Sequence, residues 1–433
     1  MIRISVTMPP RQYSKSKSIS TKHSLQITLP IHKDAYAAII GDAKVFRDYL
    51  NVMIDLHPEL FPPDIQSGYH LHGLSALSKK MPEIRTRRMK LKQVTPDGQA
   101  QVMTILPSFI LPYRAGYTDA VEKGLFLYGM GVPYWALTYV FGKNDQYWYR
   151  LVVSLGHHDL VGTTLKSGDQ LPDHVLADEK HTWFNGDKAY IATTVSNDCV
   201  FGASITLKAD TPHLTEAYSH FKQEARRLKP DYQPITVNTD GWGSTIKAWL
   251  ALFPRIVIIR CFLHAFIAIR SCCKRLHEFP QLCDRVWAIY RADSQMGFYR
   301  EVAELYAWAQ DRFQGAAKTA IHKLCAKTGD FLLAFDYPDA YRTSNMIDRL
   351  MVPMDRYLHS SRYFHGHLMS AEYQIRAWAL IYNFHPYCPR AKIRKTYRSP
   401  AHQLNGFVYH DNWLHNLLVS TSCQRFYVSH KIR

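Results

Sequence analysis

The sequence predicts a multidomain α/β protein in which one α/β domain is interrupted by an all-α insertion and preceded by a small helical domain. Three observations predict it. Over residues 173 to 260 the hydrophobic period switches between 2 and 3.6 in the order β-β-β-α-β-α-β. Residues 262 to about 338 then read as helix after helix, with no strand signal between them. Between residues 118 and 156, Gly and Pro punctuation cuts the chain into three short helical segments.

Taken in order, residues 1–110 form a basic region with a hairpin. Leu25 to Ile31 reads as a short strand, and Phe46 to Leu56 has apolar residues at helical spacing. Lys90 to Val94 and Gln99 to Ile105 flank Thr95-Pro96-Asp97-Gly98, where Pro suits the first turn position and Gly the left-handed one. Lys79 to Lys92 holds seven basic residues and one acid, Glu83. It is either a solvated charged face or a phosphate-binding arm, with Arg87 and Arg88 as candidate DNA contacts.

Residues 111–160 form the expected helical domain. Thr118 can cap a helix running to Tyr128, Pro133 suits the start of Val132 to Phe141, and Asn144 can cap Asp145 to Leu155. Two short helices across a Gly-containing turn are a helix-turn-helix pattern, which places Lys143, Gln146, Tyr147, Tyr149 and Arg150 near the start of the reading helix. A plain helical bundle gives the same spacing. Lys143, Gln146 and Arg150 are the candidate DNA-binding residues.

The α/β domain begins with Val175 to Asp178, followed by Lys188 to Val195 and Cys199 to Leu207 across an Asn197-Asp198 turn. Leu214, Ala217, Tyr218, Phe221, Ala225 and Leu228 mark an amphipathic helix, Ile235 to Thr239 the fourth strand, Ile246 to Phe253 a helix and Ile256 to Ile259 the fifth strand. In this order the first and fourth strands can lie side by side and parallel. Residues 262–340 are the helical insertion, with Phe298, Val302, Leu305 and Ala309 as one apolar stripe. A further helix spans Ala371 to Asn383. Residues 386–433 read as a basic tail in which Arg390 to Arg398 holds five Lys or Arg in nine positions, Arg394 and Lys395 among them.

The 433 residues carry 53 Lys and Arg against 36 Asp and Glu, a formal net charge of +17 with His neutral, and 47% are hydrophobic. The charge points to a polyanionic partner. The apolar content can bury two or three cores, which excludes wholesale disorder and a fibrous protein. The first 21 residues lack an apolar stretch of leader length, and Ile256 to Ile269 is too short, and too interrupted by Arg260 and His264, to span a bilayer. All eight Cys lie at or after Cys199 without a Cys-x-x-Cys pair and read as reduced thiols. A cytoplasmic protein with no membrane partner is expected.

Chemistry is expected at the carboxyl edge of the sheet, where ligands of open α/β domains gather. Asp178 ends the first strand and Asp240 the fourth, so neighbouring strands can converge two carboxylates on a hard divalent cation. Taken singly, an Asp after a strand is more often a turn or cap residue; the pair at this spacing, in this order of elements, favours the site. A second ion needs a third acid. Asp348, near the start of a helix that Ser344 or Asn345 could cap, is the candidate, with Asp355 and Glu372 as competitors and a helix-stabilising first-turn role as the alternative. Cys261-x-x-His264 could be half a zinc site, but no second half is evident, so a structural motif at the sheet edge is the expectation.

In order, Asp178-Glu179-Lys180-His181, Thr239-Asp240-Gly241-Trp242, Cys261-x-x-His264 and Thr343-Ser344-Asn345-x-x-Asp348-Arg349 resemble the signatures of DDE transposases of prokaryotic insertion sequences, nearest in style to the Mutator-like group. The likeness covers about residues 170 to 385, and Arg376-Ala377-Trp378 through Asn383-Phe384-His385-Pro386 also resembles the helix and exit after that family's third acid. The resemblance implies a ribonuclease-H-like catalytic domain built from residues 170–261 and 341–385. It implies catalytic and metal-binding roles for Asp178, Asp240 and Asp348, the last standing where the family carries Glu. It further implies two Mg²⁺ or Mn²⁺ ions about 3.5 to 4 Å apart, strand cleavage at element ends and transfer of the freed 3′-OH into target DNA. Double-stranded DNA would be the partner, bound by a homodimer or higher multimer in the nucleoid. A structure-selective nuclease on the same fold, and a non-catalytic DNA-binding regulator or decayed transposase, are the alternatives.

Overall fold

A computed structural model describes residues 25–77, 79–94, 100–113 and 116–423. The Thr95-Pro96-Asp97-Gly98 turn and the basic positions before Leu25 lie outside the described residues.

The N-terminal region is an α+β unit. It comprises β1 (Leu25–Leu29), α1 (Lys33–Ile40), α2 (Ala43–Leu56), β2 (Tyr69–Leu74), β3 (Arg87–Val94) and β4 (Ala100–Pro107). The sheet order is β1-β4-β3-β2, with β1 parallel to β4 and the other pairs antiparallel. Ile27, Leu29, Phe46, Leu50, Met89 and Ile105 form its core. Period two along β3 turns Arg87, Met89 and Leu91 inward and leaves Arg88 and Lys92 exposed. Arg87 is therefore not a DNA contact. It is only 5% exposed, and its guanidinium donates to the Ile40 and Gly41 carbonyls, closing the C-terminal end of α1.

Four helices follow: α3 (Glu122–Gly129), α4 (Tyr134–Phe141), α5 (Asp145–Gly156) and α6 (Leu160–Thr164). Asn144 caps α5 by accepting from the Tyr147 amide, whereas the buried Thr118 hydroxyl donates to the Ser108 carbonyl instead of capping α3.

The second sheet holds β5 (His174–Phe184), β6 (Asp187–Ser196), β7 (Cys199–Thr206), β8 (Thr236–Thr239) and β9 (Val257–Arg260), with α7 (Thr211–Leu228) and α8 (Gly243–Leu252) as crossovers. Its order is β7-β6-β5-β8-β9; β5, β8 and β9 run parallel, and β6 and β7 antiparallel. The two hairpins turn on Asn185-Gly186 and Asn197-Asp198, all four residues at positive φ, the pairing that suits the right-handed twist of the strands.

Each face of this sheet is covered. Val175, Ala177 and Val237 pack under Tyr218, Phe221 and Trp249 of α7 and α8. Leu176, Ile191 and Val200 share the opposite core with Leu125 of α3 and Trp148 of α5. Two helices after the insertion, α14 (Asn345–Ser360) and α15 (Leu368–Phe384), join that same core. Residues 111–160 thus have no core of their own. The contact between α5 and α15 is so close that a Cβ on Gly156 would lie 1.9 Å from the Tyr373 carbonyl oxygen. The buried Arg376 fastens the junction, donating to the Gly156 and His158 carbonyls and pairing with Glu224 at 2.6 Å.

The insertion consists of α9 (Phe262–Cys273), α10 (Phe279–Arg291), α11 (Gln295–Ala309), α12 (Gly315–Ala326) and α13 (Thr328–Asp336), around a separate core that includes Leu282, Phe298, Leu305 and Ile321. Its two stems meet where the Phe262 amide donates to the Arg342 carbonyl. The C-terminal segment is not a free tail as far as it is described. After α16 (Pro400–Asn405), α17 (Trp413–Ser420) is buried along its length, and Ser422 bridges the Thr28 amide to the Leu60 carbonyl. Among the described residues, no helix is long and apolar enough to cross a membrane.

Candidate active site

The parallel register of β5 and β8 pairs His174 with Thr236, Val175 with Val237 and Leu176 with Asn238. Continued by two residues, it brings Asp178 level with Asp240. Asp178 does not end its strand, which runs on to Phe184 beside β6. Asp240 is the residue at which β8 stops. The chain turns away there through Gly241 at φ +92°, where a Cβ would collide with the Arg260 guanidinium, and Arg260 donates to the Gly241 carbonyl. The positive φ is the demand that glycine meets without strain. The Trp242 amide donates to Asp240 Oδ1 at 2.7 Å, and the Glu179 amide to Asp178 Oδ1 at 2.8 Å.

Asp348 enters from the first turn of α14, at the far stem of the insertion. Ser344 precedes that helix, and its hydroxyl donates to Asp348 Oδ2 at 2.7 Å instead of capping the backbone. Burial pushes the Asp178 carboxyl up, and the charges of Asp240 and Asp348 add to the rise, while the Glu179 amide and His264 oppose it. Asp178 therefore feels the charge of both other acids. Asp178, Asp240 and Asp348 are each partly open to solvent.

No protein-family model matches the chain, and no curated protein matches it.

Cys261 and His264 stand beside the acids. The Cys261 thiol donates to Ser344 Oγ at 3.2 Å, and the Ser344 amide donates to Cys261 Sγ at 3.2 Å. A hydrogen bond with Cys261 raises the His264 pKa to about 9 against the opposing effect of burial, helped by the charges of Cys261, Asp178 and Asp240. Burial pushes the Cys261 thiol up, but hydrogen bonds with His264 and Ser344 outweigh it and the thiol ends below its ordinary value. The pair is thus engaged with Ser344 and with each other, as a sheet-edge motif would be, and a protonated His264 places positive charge next to the carboxylates.

The competing acids sit elsewhere. Asp355 is exposed and pairs with Lys180 at 2.6 Å. Glu372 is buried on α15 against the edge strand β7, where it accepts from the Ile205 amide and lies 3.3 Å from His220 Nδ1. Asn383 likewise holds both backbone groups of Val200, so α15 closes the open edge of the sheet.

Among the described residues, no set of three or more His, Cys, Asp or Glu is gathered closely enough to cage an ion as the side chains stand. The donor chemistry nevertheless suits a hard divalent cation: one carboxylate within β5, one where the adjacent β8 stops, a third from the first turn of α14, and like charges that a cation would relieve.

Of the candidate DNA-binding residues, Lys143, Gln146 and Arg150 are exposed, as are Arg88, Arg394 and Lys395. Glu179 went unread in the sequence. It faces α7 and α8, accepting from the Tyr218 and Thr245 hydroxyls at 2.7 Å each. Burial pushes its carboxyl up to about 7 against those two hydrogen bonds. Strand alternation from Asp178 was the available signal for its direction.

Proposed function

We propose that this chain is a DDE-type transposase: a divalent-metal-dependent enzyme that cuts DNA at element ends and joins the freed 3′-OH to target DNA. The observation that carries this reading is the register that brings Asp178 level with Asp240, electrostatically coupled to Asp348. The strand order β7-β6-β5-β8-β9, with a helical insertion after β9 and an acid at its far stem, supports a ribonuclease-H-like catalytic domain. Asp178, Asp240 and Asp348 would hold Mg²⁺ or Mn²⁺, which would activate the attacking oxygen and stabilise the leaving one. Gly241 and the Trp242 amide orient Asp240, and Ser344 orients Asp348. The net charge of +17 supports double-stranded DNA as partner, with multimer assembly on it and a nucleoid location as parts of the same reading.

The fusion of α3–α5 to the catalytic core favours a second reading, a structure-selective nuclease without an independent sequence-reading head. One experiment separates the two. The full chain is incubated with Mn²⁺ and DNA carrying the flanks of its own gene, and cleavage and joining products are mapped. Cuts confined to defined ends, followed by strand transfer, support the transposase. Cuts placed by DNA structure alone support the nuclease, and no cuts under any metal condition would leave only a DNA-binding role.

A further inference from the structure

Between α9 and α12 of the insertion runs a groove of about 490 Å³ that opens on the acidic site, with Asp240 and His264 among its lining residues. Arg260, Lys323 and Lys327 also line it. Lys327 shares this lining with the other two cations and feels their charge: burial lowers its pKa, and the charges of Arg260 and Lys323 lower it further against the opposing charge of Asp330. Asp330 is itself bonded to Arg260 at 2.9 Å. Neither Lys323 nor Lys327 has an ion-pair partner for its ammonium among the described residues. An anion entering the groove would therefore relieve a repulsion already built into it. Ala268, Ala316 and Ala320, facing each other from α9 and α12, keep the space open.

We infer that this groove holds a single polynucleotide strand, gripped by its phosphates, as the strand leaves the acids. The inference rests on the proposed reading of the acidic site and adds the place and form of one substrate segment. The groove has the volume of a small-ligand cleft, so it admits one chain and not a duplex. Phe331, its aromatic lining residue, is only 5% exposed, so bases find no stacking platform. Contacts made to phosphate alone carry no sequence information, and the strand held here is bound irrespective of sequence.

The test uses the full chain without divalent ion, and fluorescence anisotropy over a salt series. Two probes share one sequence: a blunt duplex and the same duplex with a single-stranded overhang of about six nucleotides. The wild type should prefer the overhang. Lys323→Ala with Lys327→Ala should abolish that preference and lower the log–log salt slope for the overhang by about 1.4, the release expected from two single-strand phosphates, with the blunt-duplex slope unchanged. Ala268→Phe, which fills the groove and keeps both lysines, should lose the preference too. If that variant fails to fold by circular dichroism, the double lysine variant decides.

An unchanged preference in the double lysine variant overturns the inference, as does competition by an acidic peptide as effective as by a single-stranded oligonucleotide. Cleavage by wild type together with normal overhang binding by the double variant would remove the groove and leave the transposase reading standing. Lost overhang preference with no wild-type cleavage would do the reverse.

Discussion

Ser344→Ala is the perturbation that tests the placement of the third acid. Ser344 is 3% exposed, so solvent does not replace its hydroxyl when the hydroxyl is removed. The substitution deletes the 2.7 Å hydrogen bond to Asp348 Oδ2 together with the 3.2 Å one accepted from the Cys261 thiol, and keeps the backbone amide that donates to Cys261 Sγ. A hydrogen bond to a charged group contributes about 1.5 to 3 kcal/mol, which corresponds to roughly a 10- to 150-fold change in an equilibrium constant. The loss should fall on metal loading, because Asp348 without its donor is free to swing away from Asp178 and Asp240. The assay is DNA cleavage against Mn²⁺ concentration. The half-saturating Mn²⁺ concentration should rise by about one to two orders of magnitude, while the rate at saturating Mn²⁺ stays near wild type and the melting temperature moves little. An unchanged half-saturating concentration would refute the idea that Ser344 positions Asp348.

Two further predictions concern stability. Glu179 has its carboxyl raised from 4.5 to about 7, so between those values the folded chain holds a proton that the unfolded chain has released, and stability falls as pH rises through that window. Glu179→Gln keeps the oxygen that accepts from Tyr218 and Thr245 and removes the charge; in urea unfolding it should match wild type near pH 5 and exceed it by up to about 3 kcal/mol at pH 8, and a Gln variant weaker than wild type at pH 8 would contradict this. Gly156→Ala should lower stability by at least about 2 kcal/mol despite alanine's better helix propensity, because its Cβ would meet the Tyr373 carbonyl; a neutral or raised melting temperature would show that α5 can shift on α15.

Much of the second sheet was legible because it is built from local periodicity. The β-β-β-α-β-α-β order sufficed to set Asp178 and Asp240 on neighbouring parallel strands. The first strand was read too short because Asp178-Glu179-Lys180-His181 is polar, yet its alternation is real: Glu179 faces α7 and α8, while Lys180 reaches Asp355 on α14. Asn185-Gly186, a strong hairpin signal, marked where that strand reverses. Arg87 was misread as part of a charge run, although its two-residue spacing from Met89 and Leu91 pointed it inward. The expected small helical domain was legible in its helices but not in its packing. Its helices lie close to where their spacing put them, but the burial of Trp148, Leu151 and Val152 against α15 is a long-range contact that no local pattern encodes. The same holds for the tail, which reads only as a basic segment: the helix Trp413–Ser420 and its docking against β1 and α15 depend on contacts far away in the chain.

The most direct test of the three-acid site is a single Mn²⁺-dependent cleavage assay across five folded variants, with DNA binding measured alongside. Asp178→Asn, Asp240→Asn and Asp348→Ala should each lose at least about a thousandfold in rate, roughly 4 kcal/mol of barrier, while still binding DNA. Asp348→Glu should retain detectable cleavage, and Asp355→Ala should stay within a few-fold of wild type. Full activity in Asp178→Asn or Asp240→Asn, or a dead Asp355→Ala beside an active Asp348→Ala, would contradict the site.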